Sequence, residues 1–125
     1  MRRVLLLAGI ALVTSAHVGS PDVFFQGKAG SYDIRVVVRP PEVVPGVARV
    51  TVRAPAEVQR VTIRPVYWRA GSKGAPSADE TSRLDGESSG GTFVGSLWLM
   101  AHGAYSVDVT VDGARGSANV LVPVA

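Results

Sequence analysis

From Asp33 onward, apolar and polar side chains trade places at almost every step. Ile34, Val36 and Val38 alternate with Asp33, Arg35 and Arg39, with Val37 the exception. Val50 and Val52 alternate with Arg49, Thr51 and Arg53, and Val61 and Ile63 with Arg60, Thr62 and Arg64. Tyr105, Val107, Val109 and Val111 alternate with Ser106, Asp108, Thr110 and Asp112. A period of two puts the two sets on opposite sides of an extended strand, so each run has a dry face and a wet one. A helix with this pattern would scatter its valines around the whole cylinder, and β-branched side chains suit a pleated surface better.

Turn residues divide the chain between these runs. Pro40-Pro41 and Pro45-Gly46 bracket one turn, and Ala54-Pro55-Ala56 closes the next strand. Asp112-Gly113 reads as a tight hairpin, with Ala114 leading into the last strand. These marks predict strands near 22–26, 32–39, 47–53, 59–68, 92–99, 104–111 and 116–122. About seven short antiparallel strands in a chain of this size predict an all-β fold, an immunoglobulin-like antiparallel β-sandwich. Residues 70–91 break the rhythm, being rich in Gly, Ser and charge, with Leu84 the one large apolar side chain. They read as a long, polar, solvated connection with one short edge strand around Arg83.

The start of the chain follows a different grammar. Met1-Arg2-Arg3 is basic, residues 4–13 form an almost unbroken apolar run, and Thr14-Ser15-Ala16 is a small-residue exit. That order is the pattern of a secretory signal cleaved after Ala16. Ten apolar residues rise only about 15 Å as a helix, against a hydrocarbon core of about 30 Å. The expected organisation is therefore a signal peptide, 1–16, and one domain, 17–125, periplasmic or secreted. No stretch within 17–125 approaches the length of a spanning helix.

Composition then excludes several classes. Removing sixteen of the 125 residues leaves 109, enough for one modest core. Arg2 and Arg3 leave with the leader, taking 13 basic residues to 11 against 10 acidic ones. A nearly neutral exported domain is a poor partner for nucleic acid. The chain has no cysteine, so disulfides, thiolate metal sites and thiol nucleophiles are all excluded. No G-x-S-x-G elbow is present and neither histidine has a triad context, so no enzyme activity is expected.

Three aromatic residues read as structural. Tyr105 follows Gly103-Ala104 at the start of the penultimate strand, where a sandwich tyrosine often hydrogen-bonds back across the corner. Trp68 and Trp98 fall at strand positions and read as core. Arg35, Arg39, Arg49, Arg53, Arg60 and Arg64 occupy the outward register of three successive strands. If those strands are neighbours in one sheet, the six form a basic ridge suited to anionic lipid headgroups or an acidic protein partner.

One metal reading also follows from the residues. Cleavage after Ala16 would give His17 a free α-amine beside its imidazole, a chelating pair suited to copper(II). Asp22 offers an oxygen, and Met100 and His102, two residues apart, could face one way at a strand end. Against this stand the small number of histidines and an expected topology that places the turn holding His102 at the opposite end from the first strand's start.

The order of several segments resembles a known group. Val23-Phe24-Phe25-Gln26-Gly27 leads into Gly30-Ser31-Tyr32-Asp33-Ile34-Arg35-Val36, and Pro40-Pro41-Glu42-Val43-Val44-Pro45-Gly46 precedes a strand. Leu97-Trp98-Leu99-Met100, Gly103-Ala104-Tyr105-Ser106-Val107 and Gly116-Ser117-Ala118-Asn119-Val120 follow. This resembles the YtkA-like and FixH-like extracytoplasmic domains of bacteria, over most of residues 23–122. The resemblance implies a secreted or membrane-tethered β-sandwich and, on the FixH-like side, a part in assembling copper-containing respiratory oxidases. The expected function is a non-enzymatic, extracytoplasmic binding or assembly module, its partner a protein or anionic lipid at the outer face of the cytoplasmic membrane. The alternative is a small periplasmic copper-binding or copper-delivery protein using His17.

Overall fold

The structure, a computed structural model, describes residues 21–71, 75–84, 91–100 and 103–124. These form nine strands: β1 (Val23–Ala29), β2 (Tyr32–Arg39), β3 (Gly46–Ala54), β4 (Val58–Tyr67), β5 (Asp79–Glu80), β6 (Ser82–Arg83), β7 (Gly91–Leu99), β8 (Tyr105–Gly113) and β9 (Gly116–Val124). All pairings are antiparallel. One sheet has the order β1-β2-β3-β7-β6 and the other β5-β4-β8-β9. The chain changes sheet between β3 and β4, between β5 and β6, and between β7 and β8. That is the immunoglobulin-like arrangement, with β2, β3, β7 and β6 in one layer facing β4, β8 and β9 in the other. Among the described residues no helix is long and apolar enough to cross a membrane.

The seven long strands fall where the alternation puts them. The valine sides face inward: Val36, Val38, Val50, Val52, Val61, Ile63, Val107, Val109, Val111 and Val122 are all buried. Phe93, Leu97 and Leu99 of β7 fill the space between the sheets. Branched and aromatic side chains from facing layers interdigitate there, and removal of this apolar area from water is the main favourable term.

Three local differences from the sequence expectation have simple causes. First, β1 runs on to Ala29, because Gly30 (φ +58°) supplies the backbone that a two-residue hairpin with Ser31 requires. Second, the last hairpin turns at Ala114-Arg115, two residues later than expected. Asp112 and Gly113 stay in the ladder, and Gly116 at φ +95° takes the left-handed position. Third, the polar connection contributes two minimal strands rather than one. Thr81 joins them, its N–H and hydroxyl both donating to the Val61 carbonyl (3.1 and 2.8 Å). This segment closes part of one flank of the sandwich, where Thr81 lies close to Gly95 of β7.

Candidate functional site

The outer face of the β1-β2-β3-β7-β6 sheet carries the basic residues. Register places Arg35 directly opposite Arg53, and Arg39 directly opposite Arg49. Opposed residues on neighbouring strands lie about 5 Å apart, and residues four apart along a strand about 13 Å. The four guanidiniums therefore spring from the corners of a narrow rectangle. Between the two pairs runs a row of Phe24, Val37, Thr51 and Val94. Phe24 is 76% exposed. Val37, Arg39, Arg49 and Thr51 surround a shallow hollow of about 260 Å³.

Like charges placed directly opposite each other destabilise a strand pair. Some neutralisation is present at the margin, where Asp22 meets Arg39 at 3.4 Å and Lys28 meets Asp33 at 3.5 Å. Among the described residues, no carboxylate forms an ion pair with Arg35, Arg49 or Arg53. Three guanidiniums on one exposed face are thus left for solvent or for a partner.

Arg60 and Arg64 do not belong to this face. The connection at Pro55-Ala56-Glu57 carries the chain into the other sheet, so the outward register of β4 points the opposite way. Arg60 pairs with Glu80 there, and the Arg64 Nε donates to the Asp108 Oδ2 at 3.0 Å. The expected ridge of six is in fact a patch of four, with two ion-paired arginines on the far side.

The aromatic expectations also change. Trp68 is 76% exposed and Trp98 57% exposed, so neither is a core residue. Trp98 lies between Leu97 and Leu99, whose side chains take the inward positions of β7. Trp68 is the first residue past the end of β4. Tyr105 is buried as expected and its ring meets that of Tyr67 (centroids 6.0 Å apart), but its hydroxyl has no hydrogen-bond partner among the described residues. Burial, reinforced by Tyr67, pushes its phenol up to about 12. The corner bond belongs to Tyr32 instead. Its hydroxyl donates to the Gly116 carbonyl at 2.8 Å and accepts from the Arg115 N–H at 2.9 Å.

His17 and His102 lie outside the described residues. The other two proposed ligands are not brought together, since β2 and β3 separate the strand that Asp22 leads into from the strand that Met100 follows. Three strand spacings come to about 14 Å. Met100 is exposed, and among the described residues no group of three histidine or acidic side chains could hold a metal. One expectation about topology is reversed. Val23 opposite Val38 and Gly46 opposite Leu99 put the start of β1 and the end of β7 toward the same end of the sandwich.

Sequence reasoning missed the buried carboxylate of Asp108, which accepts from Arg64 and, at 2.9 Å, from the Asn119 side chain. Its wet-face register gave no sign of burial. No protein-family model, curated protein or solved structure matches the chain.

Proposed function

We propose that this chain is a non-enzymatic binding module of the extracytoplasmic space that docks on an anionic membrane surface through the Arg35, Arg39, Arg49 and Arg53 face. The observation that carries this reading is the double juxtaposition Arg35–Arg53 and Arg39–Arg49. A sheet that opposes like charges twice on one exposed face gives up stability, and phosphate groups arriving between the guanidiniums restore it. Lipid headgroups suit the composition of the face. Phe24 and Val37 lie in the row between the arginine pairs, so apolar contact and charge would be made at one depth. The resemblance to FixH-like domains makes oxidase assembly at the cytoplasmic membrane a fitting setting.

Each basic residue near an anionic surface contributes about 1 kcal/mol, and the interaction fades within a Debye length. Arg35→Gln with Arg53→Gln therefore weakens binding to phosphatidylglycerol vesicles by about 2 kcal/mol, or roughly thirtyfold, in co-sedimentation at low salt. Arg60→Gln, on the other face, leaves it unchanged. Equal binding to phosphatidylcholine vesicles, or an undiminished affinity in the double variant, removes the proposal.

A further inference from the structure

The arginine face differs between its two ends. Register carries the outer side of this sheet one row past the Arg39–Arg49 pair, to a row in which Val47 lies directly opposite Trp98. Both side chains are exposed and take the outward positions of β3 and β7, since Ala48, Leu97 and Leu99 take the inward ones. Two residues along a strand span about 7 Å, so this row borders the arginine pair directly.

Two further apolar side chains join it from outside the strands. Val43 belongs to the turn that leads into β3, and that turn is held against the start of the strand. The Val43 carbonyl and the Pro41 ring crowd Gly46 too closely for any side chain there. Met100 is the first residue past β7. Eight large apolar side chains are exposed among the described residues, and Val43, Val47, Trp98 and Met100 account for four of them at this one end. Such side chains scattered singly are ordinary, but a gathered group marks an interaction surface.

The opposite end is built otherwise. Beyond the Arg35–Arg53 pair, the next row sets Lys28 opposite Asp33, joined as an ion pair at 3.5 Å. The row of Phe24 and Val37 lies among the charges, whereas the row of Val47 and Trp98 lies beyond them. Of the carboxylates near this apolar end, Asp22 is taken up by Arg39, while Glu42 and Asp79 are exposed at its sides. A soluble polyanion satisfies the arginines and offers nothing to the apolar end. An anionic bilayer offers both, phosphates at its surface and, just beneath, the acyl boundary where indole rings settle.

We propose that Val43, Val47, Trp98 and Met100 form an insertion lip that seats the arginine face on the membrane with this end leading, Trp98 entering the boundary between headgroups and acyl chains. The inference rests on the membrane reading of the arginine face and adds what charge alone does not supply, an orientation and a requirement for acyl chains as well as phosphate. The molecule carries its own control. Its second tryptophan, Trp68, follows β4 and shares a cleft with Arg64, Asn119 and Leu121 of the other sheet. Trp68→Phe leaves Trp98 as the sole indole, and Trp98→Phe leaves Trp68. The full chain of each variant is mixed with phosphatidylglycerol vesicles, with and without brominated acyl chains, and binding is followed in parallel by co-sedimentation. Trp98 emission is expected to shift to the blue and to be quenched by the bromines, and Trp68 emission to do neither. Trp98→Ala is expected to weaken vesicle binding roughly tenfold, with an unchanged circular dichroism spectrum. Vesicle binding that depends on Arg35 and Arg53 but leaves Trp98 unshifted and unquenched, or that quenches Trp68 equally, overturns the lip and leaves the charged face standing. Absence of vesicle binding altogether removes both.

Discussion

The two ends of the sandwich are built on opposite principles. At the hairpin end, polar groups are satisfied by one another. Tyr32 makes two hydrogen bonds to the β8–β9 turn, and the Arg115 guanidinium lies over its ring at 4.7 Å. Arg115 also donates to the Ser31 carbonyl at 3.0 Å and pairs with Glu57. At the other end the hydroxyls of Tyr67 and Tyr105 are buried with no partner among the described residues, while Trp68, Trp98 and Met100 stand exposed. Both ends carry a tyrosine at the start of a strand. One is a stitch between the two sheets, and the other is buried against Tyr67 with its hydroxyl unpartnered among the described residues. The difference teaches that stability is concentrated where the hairpins meet and given up where the aromatic residues gather.

The sharpest way to break this contrast is Tyr32→Phe. Two hydrogen bonds disappear, at about 1 kcal/mol each. The Arg115 N–H and the Gly116 carbonyl belong to exposed residues and can turn to water, so the loss should stop near 2 kcal/mol. Thermal unfolding should then occur roughly 10 °C lower. Tyr67→Phe, at the other end, should cost nothing measurable. Equal losses in the two variants, by urea midpoint, would abolish the distinction between the ends.

Much of this architecture was legible before any coordinate. The alternation through β2, β3, β4 and β8 announces strands because a step of two is the pleat itself. The same alternation says nothing about which layer a strand joins. Alternation alone therefore groups Arg60 and Arg64 with Arg49 and Arg53, although the β3–β4 connection sends them to the opposite face. Residue type points both tryptophans to the core, and both are exposed. Register alone would have placed Trp98 correctly, since Leu97 and Leu99 flank it. Gly30-Ser31-Tyr32 and Gly103-Ala104-Tyr105 share one spacing. Only the nearness of the Arg115-Gly116 turn decides which tyrosine makes the corner, and that contact spans more than eighty residues of chain.

Tyr105→Phe sharpens the contrast from the other side. Deleting a buried, unpartnered hydroxyl should raise stability at neutral pH by on the order of 1 kcal/mol. The wild-type phenol titrates near 12 when folded and near 10 when unfolded. The unfolded chain therefore loses this proton first. Stability from this group is intact below pH 10 and declines as pH climbs toward 12, by on the order of 2 kcal/mol. In the phenylalanine variant that alkaline decline should be shallower. Urea midpoints measured at neutral pH and across this interval would show it, and parallel curves for the two proteins would mean that the phenol is not shielded as described.

The smallest effect on stability should come from Trp68→Ala, and that smallness is the point. A tryptophan that served the core would cost several kcal/mol on truncation. At 76% exposure Trp68 has little burial to lose, and its backbone N–H bond to the Ala104 carbonyl (3.2 Å) survives the change. The expected shift is within about 0.5 kcal/mol. A loss of stability approaching that of Tyr32→Phe would instead make Trp68 a packing residue, and the open end of the sandwich would then be as internally committed as the hairpin end.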